Sequence, residues 1–298
     1  MSTSSPLVLG TAQLGLPYGV ANKTGQPDQA MATSIIREAW ENGIKEFDTA
    51  QGYGISERVL GEALAELGLS QKAKIITKFN PNLNYLEAPV LLRALNQSLQ
   101  RLGTQSLYGV MLHREEMLSL WYRGLSENLS NFVLSGRVKK IGVSVYSPDK
   151  AIQALNTDGI DVVQVPANIL DRRFEDAGVF QLADEKKKQI YIRSVFLQGL
   201  LLMDLEEIPD KMAFAKPVIE KIKSISKYFG ITPQEMALCY IKNKFPNAKV
   251  IFGADIPSHV KDNCVCWEKP LPTNFIPLVR DSFSQIDERI LNPVLWPG

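Results

Sequence analysis

The chain has 298 residues, 45% of them hydrophobic, and a formal net charge of +1. This length is typical of a single α/β barrel and allows a large buried core. The near-zero net charge gives no electrostatic reason to expect nucleic acid or an anionic membrane as a partner.

Three cysteines, Cys239, Cys264 and Cys266, are too few for a disulfide framework and lack the paired spacing of a zinc site. We therefore expect reduced thiols and no metal. No run approaches the roughly 18 apolar residues of a membrane span. Residues 1–5 are too short and polar for a signal peptide. These features favour a cytoplasmic protein.

Short apolar runs alternate with amphipathic segments through the first half of the chain. The predicted strands are residues 7–10, 44–47, 74–77 and 107–112. The predicted helices are residues 28–42, one beginning at Ser56, 88–102 and 118–134. A loop with glycine and proline, ending near Pro27, joins the first strand to its helix.

The second half repeats this alternation. The predicted strands are residues 140–143, 162–165, 190–195 and 249–252. The predicted helices are residues 147–155, 175–188, 217–229, 233–244, a short one from Ser258, and 276–290 in the tail. Eight strands in alternation with helices, without a linker, predict a single (β/α)8 barrel domain over residues 1–298.

A doubly wound sheet is the alternative fold. It would be expected to carry G-x-G-x-x-G after a strand, where a dinucleotide binds. The nearest match begins at Gly10 and reads G-T-A-Q-L-G, which has the wrong spacing. The barrel is therefore favoured.

Four polar residues fall at or just beyond the carboxyl ends of predicted strands two to four: Asp48, Tyr53, Lys78 and His113. Each alone has an ordinary explanation as a cap, a solvated residue or a packed loop residue. In a barrel, however, the carboxyl ends of the strands converge on one mouth, so these four side chains are expected to meet there.

The four side chains complement one another chemically. A tyrosine titrates near pH 10, too high for easy proton exchange at neutral pH. A nearby ammonium favours the phenolate, and a paired carboxylate keeps the ammonium charged in a dry pocket. A histidine beside them can orient a carbonyl group. This set suits the protonation of a carbonyl oxygen while hydride reaches the carbon.

The motif around the tyrosine is similar to the signature of the aldo-keto reductase superfamily. The matching residues are Phe47-Asp48-Thr49-Ala50, Tyr53-Gly54, Ser56-Glu57 and Gly61, with Lys78 and His113 in matching segments. The resemblance implies an NAD(P)-dependent oxidoreductase on a (β/α)8 barrel. It implies that Tyr53 is the general acid/base, that Lys78 and Asp48 tune it, and that His113 positions the carbonyl.

The same resemblance implies a binding site for NADP or NAD. Its residues would be Thr11, Asp48, Ser144, Gln164, Arg193, Ser194, Phe196, Gln198, Gly253, Ala254, Asp255, His259, Asp262 and Asn263. Two positions depart from the family pattern. Val145 replaces an asparagine, and Arg193 stands where an aromatic residue commonly stacks on the nicotinamide. A guanidinium plane can also stack on a ring.

Residues 253–261 leave the choice between NADP and NAD open. Gly253, Ala254 and His259 stand where NADP-specific members often carry Lys, Ser and Arg. Asp255 suits a free ribose 2′-hydroxyl, whereas Lys261 would suit a 2′-phosphate.

The expected function is reversible reduction of an aldehyde or ketone, with a sugar or sugar derivative as a candidate substrate because the mouth is neither strongly basic nor conspicuously aromatic. Residues 270–298 form a tail that, by the resemblance, would lie over the barrel mouth and shape the substrate pocket. Tyr18, Trp121 and Trp296 are further candidates for the pocket wall. The alternative function is a dinucleotide-binding redox sensor with little turnover.

Overall fold

A computed structural model of the protein describes residues 5–296. The predicted (β/α)8 barrel is confirmed, because eight parallel strands close on themselves in the order β1 to β8. The strands are β1 Leu7–Gly10, β2 Glu46–Asp48, β3 Lys74–Phe79, β4 Leu107–Leu112, β5 Val138–Ser144, β6 Val162–Pro166, β7 Gln189–Arg193 and β8 Lys249–Phe252. Residues 1–4 and the last two residues of the predicted tail lie outside the described range.

Helices connect the strands around the outside of the barrel. The α-helices are α1 Ala12–Gly15, α2 Gln29–Glu41, α3 Ser56–Glu66, α4 Ala88–Leu102, α5 Leu125–Leu134, α6 Pro148–Leu155, α7 Arg173–Asp176, α8 Val179–Glu185, α9 Lys216–Phe229, α10 Pro233–Lys244, α11 Pro257–Glu268, α12 Phe275–Ser282 and α13 Glu288–Leu291. The 3₁₀ helices are Glu115–Arg123, Leu197–Leu202, Leu205–Glu207, Asp210–Ala215 and Pro293–Leu295.

Three predicted helices are each divided in two. Gly124, with φ of 115°, separates a 3₁₀ helix from α5, and Gly178, with φ of 73°, separates α7 from α8. Glycine adopts these left-handed conformations without a steric penalty, and they end a helix. In the tail, the Asp287 carboxylate accepts from the Arg289 N–H at 2.9 Å and starts α13 as a separate helix.

Several strand boundaries differ from the prediction by a few residues, and two of these differences have a clear cause in the structure. The strand predicted from residue 44 begins at Glu46, because the Ile44 N–H still closes the end of α2 on the Ala39 carbonyl at 2.9 Å. The strand predicted to reach residue 195 ends at Arg193, because Ser194 has a left-handed φ of 63°.

The interior of the barrel is packed rather than open. A small apolar cluster fills it, formed by Val8, Ile76, Met111, Val162, Tyr191 and Ile251. The larger core lies between the strands and the surrounding helices. Because side chains fill the barrel, a ligand has access only at an end, and the carboxyl ends of the strands are where such barrels carry their sites.

A buried carboxylate ties four strands together near their amino ends. Glu46 in β2 accepts from the Tyr191 hydroxyl of β7 at 2.7 Å. Its other oxygen lies 3.4 Å from Nζ of Lys74 in β3 and 3.1 Å from Nζ of Lys249 in β8. The charge is thus paired where it is buried, as a buried carboxylate requires.

The tail packs against loops at the mouth end of the barrel. The Arg172 guanidinium, in the loop after β6, donates to the carbonyl oxygens of Arg280 and Phe283, both at 3.0 Å. Arg289 lies over the Phe214 ring, 4.9 Å from its centroid, in the segment after β7. A direct role of the tail in the substrate pocket stays a prediction.

Candidate active site

A cavity of about 620 Å³ lies at the carboxyl ends of the strands. Most of the residues predicted for the site line it: Thr11, Asp48, Tyr53, His113, Ser144, Gln164, Arg193, Ser194, Phe196, Gln198, Gly253, Asp255, His259, Asp262 and Asn263. Lys78 lies beneath this surface and is buried, while Ala254 is buried and does not line the cavity.

The loop after β2 presents the Tyr53 hydroxyl to the cavity. The Tyr53 N–H donates to the Ala50 carbonyl and the Ser56 N–H donates to the Tyr53 carbonyl, both at 3.0 Å, which forms tight turns before α3. Gly54 has φ of 55°, and a Cβ there would overlap the Gly15 carbonyl oxygen. The loop therefore packs backbone against backbone, which only glycine allows.

Lys78 connects Asp48 with Tyr53 at the base of the cavity. Its Nζ lies 2.6 Å from Oδ2 of Asp48 and donates to the Thr49 carbonyl oxygen at 3.3 Å. The Tyr53 hydroxyl is 3.4 Å from the same ammonium. Adjacent strands β2 and β3 set this arrangement, because they place the three side chains at neighbouring strand ends.

The charges in this group offset the cost of burial. Burial lowers the pKa of Lys78, but the Asp48 carboxylate and Tyr53 more than compensate, so the pKa of Lys78 is raised. Burial raises the pKa of Tyr53, and the Lys78 ammonium opposes this rise only partly. At neutral pH Lys78 is therefore charged and Tyr53 holds its proton.

His113 follows β4 and meets Tyr53 edge to face, with ring centroids 5.6 Å apart and planes at 85°. Burial, with the nearby charges of Lys78, Arg114 and Arg193, lowers the pKa of His113 to about 4. The imidazole is therefore neutral at neutral pH. Its Nδ1 is buried and has no hydrogen-bond partner within residues 5–296.

Asp48 also positions two residues that were predicted to bind cofactor. Its Oδ1 accepts from the Gln164 side-chain amide at 2.8 Å, which fixes the orientation of that amide. The Asp48 carbonyl oxygen accepts from the Thr11 hydroxyl at 3.0 Å. Ser56 in turn donates to the Thr11 carbonyl oxygen at 2.7 Å. The signature residues thus form one hydrogen-bonded network.

Ser144 and Arg193 end β5 and β7, and Gln164 lies on the strand between them, two residues before the end of β6. Ser144 is paired in register with Gln164, and Pro166 with Arg193. The Arg193 guanidinium donates to the Val145 carbonyl oxygen at 3.3 Å and lies over the Tyr146 ring, 4.3 Å from its centroid. Its Nε is buried without a hydrogen-bond partner in the described chain.

The segment after β7 has a strained backbone that faces the loop after β1. Ser194, Leu197 and Gln198 have φ of 63°, 47° and 55°, which non-glycine residues rarely adopt. The Gln198 carbonyl oxygen accepts from the Ala21 N–H at 3.4 Å. The two loops thus meet above the cavity, where such strain is commonly functional.

Residues that follow β8 also line the cavity. The Asp255 N–H donates to Nδ1 of His259 at 3.4 Å. Asn263 is buried, and its side-chain oxygen accepts from the Gln234 amide at 2.8 Å. Lys261 is exposed and does not line the cavity.

Several lining residues were not predicted, namely Gln13, Asn22, Tyr146, Glu207 and Gln234. Asn22 and Tyr146 lie in loops, whereas Gln13, Glu207 and Gln234 lie in helices. Hydrophobic periodicity does not mark a single polar residue in either place. Of the predicted wall aromatics, Tyr18 lines the cavity, whereas Trp121 is buried and donates to the Asp158 carbonyl oxygen at 3.2 Å.

The cavity suits a nicotinamide dinucleotide in its donor and acceptor groups. Asp48 holds the amide nitrogen of Gln164, so the amide oxygen stays available as an acceptor beside the Ser144 hydroxyl. A carboxamide needs such a donor and acceptor pair. The same cavity is lined by Tyr53, in the loop after β2, and by Asn263, in the helix after β8. A cavity shared by so many segments has room for a ligand as long as a dinucleotide.

The described residues contain neither a candidate metal site nor a membrane-spanning helix. Within residues 5–296, no three His, Cys, Asp or Glu side chains are placed to hold a metal ion. Cys239, Cys264 and Cys266 are free thiols, and burial raises the pKa of both Cys264 and Cys266 to about 11. Over the same residues, every helix is too short or too polar to cross a bilayer.

Comparison with known proteins shows what this chain is similar to. The family model for the Aldo/keto reductase family matches residues 6–283. The NADH-specific methylglyoxal reductase of Escherichia coli strain K12 is 24% identical over an alignment of 295 residues, which covers 88% of this chain and 89% of that protein.

Solved structures share the fold. A glycerol dehydrogenase from Gluconobacter oxydans has a TM-score of 0.75 at 20% identity and covers 96% of this chain and 95% of its own. An aldo/keto reductase from Klebsiella pneumoniae, in complex with NADP and acetate, has a TM-score of 0.73 at 21% identity, with coverage of 94% and 92%. Since the family match covers most of the chain, the protein belongs to the aldo/keto reductase family of NAD(P)-dependent oxidoreductases.

Proposed function

We propose that the protein reversibly reduces the carbonyl group of a small molecule with NADH or NADPH, and that Tyr53 supplies the proton. The observation that carries this proposal is the position of the buried Lys78 ammonium, 2.6 Å from Asp48 and 3.4 Å from the Tyr53 hydroxyl. A buried ammonium in contact with a phenol is a costly arrangement, and it has a purpose where the phenol must release a proton.

Each residue has a defined part in this mechanism. Tyr53 is protonated at neutral pH, because burial raises its pKa, so it is ready to donate to a carbonyl oxygen. Lys78 stabilises the phenolate that remains, and Asp48 keeps Lys78 charged. His113 is neutral and orients the carbonyl oxygen by a hydrogen bond. The cofactor, when bound, supplies the hydride.

Ser144 and Gln164 would hold the nicotinamide carboxamide, and the segments after β7 and β8 would hold the rest of the cofactor. Within these segments, the candidate contacts are Ser194, Phe196, Gln198, Gly253, Asp255, His259, Asp262 and Asn263. Ala254 would act only through its backbone position, since its side chain is buried away from the cavity.

NADH fits the adenosine end better than NADPH. Asp255 lines the cavity there, and a carboxylate suits a free ribose 2′-hydroxyl but repels a 2′-phosphate. Lys261, the residue best suited to a phosphate, is exposed and does not line the cavity. The Escherichia coli relative is named as NADH-specific, whereas the Klebsiella structure contains NADP.

A polar substrate such as a sugar or sugar derivative suits the end of the cavity where Tyr53 and His113 lie. Tyr18, Tyr146 and Arg193 line this end together with Tyr53 and His113, and all of them carry hydrogen-bond donors. We also propose that the barrel acts as one domain. The free thiols fit the reducing cytoplasm as its location.

The test is a panel of small aldehydes and ketones, including aldoses and their deoxy analogues, assayed with NADH and with NADPH. We expect cofactor oxidation with several members of the panel, higher kcat/KM with NADH, and lower kcat/KM for each deoxy analogue than for its parent. Cofactor binding without turnover of any carbonyl compound would contradict the proposal. It would instead favour a redox sensor.

A further inference from the structure

Arg193 carries its charge across the nicotinamide end of the cavity. Its side chain starts at the end of β7 and reaches past β6 to β5, where it donates to the Val145 carbonyl oxygen at 3.3 Å. The strand that it crosses, β6, carries Gln164, which is paired in register with Ser144. One face of the guanidinium covers the Tyr146 ring. A ring whose carboxamide is held by Ser144 and Gln164 would therefore lie beside this guanidinium.

No carboxylate neutralises this charge. Among residues 5–296, no Asp or Glu oxygen lies within ion-pair distance of Arg193. Asp48 is already bound by Lys78 and Gln164. Glu115, the first residue of the 3₁₀ helix after β4, accepts from the backbone N–H groups of Tyr146 and Ser147. A guanidinium does not lose its proton in a protein, so the charge is permanent.

The charge of Arg193 also reaches the catalytic groups. It opposes the rise that burial causes in the pKa of Tyr18 and Tyr53, and it adds to the lowering that burial causes in the pKa of His113. Because Asp48 and Lys78 cancel each other, Arg193 leaves the cavity with a net positive charge at this end. Its buried Nε has no acceptor, so no hydrogen bond to the protein offsets the charge at this nitrogen.

From this geometry we infer that Arg193 selects the redox state of the cofactor, in that it disfavours the oxidised nicotinamide relative to the reduced form. This inference rests on the proposed cofactor site. The oxidised ring carries a positive charge and the reduced ring is neutral, so only the oxidised ring is repelled by a guanidinium beside it. We expect the reduced cofactor to bind at least about tenfold tighter than the oxidised one. An aromatic side chain at this position would instead attract the cationic ring through its face.

This preference changes the balance of the reaction on the protein. A tenfold preference for the reduced form raises the two-electron potential of the bound couple by about 30 mV. Arg193 thus favours alcohol oxidation on the enzyme. In that direction the Tyr53 phenol would first release its own proton to solvent. The phenolate, stabilised by Lys78, would then take the hydroxyl proton while the bound cofactor accepts the hydride from the alcohol carbon.

The test is calorimetric titration of the full-length protein with NADH, NAD⁺ and ADP-ribose, which lacks the nicotinamide. Wild type is compared with Arg193→Gln, which removes the charge, and Arg193→Lys, which keeps it. We expect a ratio of the NAD⁺ to the NADH dissociation constant of at least about ten in wild type. The ratio should be largely retained in Arg193→Lys and reduced to near one in Arg193→Gln. ADP-ribose should bind all three proteins equally, which controls for correct folding.

An equal affinity of wild type for NADH and NAD⁺, or an unchanged ratio in Arg193→Gln, would overturn the role of Arg193 and leave the proposed function intact. If Arg193→Gln also loses ADP-ribose binding, the comparison of wild type with Arg193→Lys decides, and a collapse of the ratio in Arg193→Lys contradicts an effect of charge. Failure of wild type to bind any of the three ligands, and NADPH as well, would overturn the proposed function itself. The titration therefore separates the two failures.

Discussion

The Lys78 ammonium is buried with the Asp48 carboxylate on one side and the Tyr53 hydroxyl on the other. Removing only Lys78 or only Asp48 would leave an unpaired buried charge, which costs about 3–5 kcal/mol of stability. At the scale of single residues, Lys78 and Asp48 therefore have to be substituted together. Only a variant that removes both charges tests their effect on Tyr53 without leaving an unpaired buried charge.

The double variant Asp48→Asn with Lys78→Met removes both charges from beside Tyr53. Lys78 lowers the pKa of Tyr53 and outweighs Asp48, so the double variant should raise this pKa further. Tyr53 then becomes a weaker acid, and we expect kcat/KM for reduction to fall by about 10²-fold. Reduction needs the protonated phenol, so its loss at high pH should begin at a higher pH than in wild type. A pH profile of kcat/KM measures both effects, and an unchanged alkaline limb would contradict this role of Lys78.

We expect the folded protein to lose stability in acid because of His113. Its pKa is about 4 in the folded state against 6.5 for an unperturbed histidine, so the unfolded chain binds the proton more tightly. Above pH 6.5 the group is neutral in both states and contributes nothing. As the pH falls from 6.5 to 4, the protein should lose about 3 kcal/mol of its free energy of unfolding at this residue. Urea unfolding of wild type and His113→Asn across this range gives the difference, and parallel curves would argue against a depressed pKa.

At the scale of elements, the loop after β2 is fixed by α3, the helix that follows it directly. Glu57, in the first turn of α3, is buried and accepts from the hydroxyls of Thr77 at 2.7 Å and Ser98 at 2.8 Å. Arg101 donates to its other oxygen at 3.1 Å. Glu57 thus joins α3 to β3 and α4, and this anchor fixes the loop that carries Tyr53.

Gly54→Ala tests the close packing of that loop, with Gly68→Ala as its control. Both glycines have left-handed φ, 55° and 65°, so alanine costs each about 1 kcal/mol of conformational energy. A Cβ at Gly68 meets open space, whereas one at Gly54 would overlap the Gly15 carbonyl oxygen. We expect Gly68→Ala to keep its activity. Gly54→Ala should lose at least about tenfold in kcat/KM, because the Tyr53 hydroxyl moves. Equal activity of the two variants would show that the loop tolerates the displacement.

At the scale of the whole molecule, the barrel separates stability from chemistry. The Glu46 cluster joins β2, β3, β7 and β8 near the amino ends of the strands. The cavity lies at the opposite, carboxyl ends. The small apolar cluster that fills the barrel interior lies between the Glu46 cluster and the cavity. Substitutions at the Glu46 end are therefore expected to change stability without changing the reaction.

Tyr191→Phe tests this separation. The substitution removes the hydroxyl that donates to Glu46 at 2.7 Å and leaves the ring in the barrel interior. We expect the free energy of unfolding to fall by about 1–3 kcal/mol, because the buried carboxylate loses a hydrogen bond. The kcat/KM should stay within about twofold of wild type. Denaturant unfolding and steady-state kinetics on the same sample measure both, and a large loss of activity at unchanged stability would contradict the separation.

The barrel could be predicted from the sequence, and so could the meeting of Asp48, Tyr53, Lys78 and His113. Polar residues that follow apolar strands can be recognised in the linear sequence. It did not predict that Gln164 would donate to Asp48, 116 positions away. Nor did it predict that Arg193 would cover Tyr146. Such partners depend on the stagger between strands and on side-chain rotamers, which residue spacing does not encode. The broken helices were missed although Gly124 and Gly178 were visible, because apolar periodicity continues across a single glycine.

The most direct test of the central claim is single-turnover hydride transfer by Tyr53→Phe, with deuterated reduced cofactor and a carbonyl compound that wild type reduces. The substitution removes the proton donor and leaves Lys78 paired with Asp48. We predict that deuteride transfer slows by at least about 10²-fold, while the dissociation constant of the cofactor changes less than about threefold. If Tyr53→Phe transfers deuteride at most of the wild-type rate, Tyr53 is not the proton donor and the proposed mechanism is wrong.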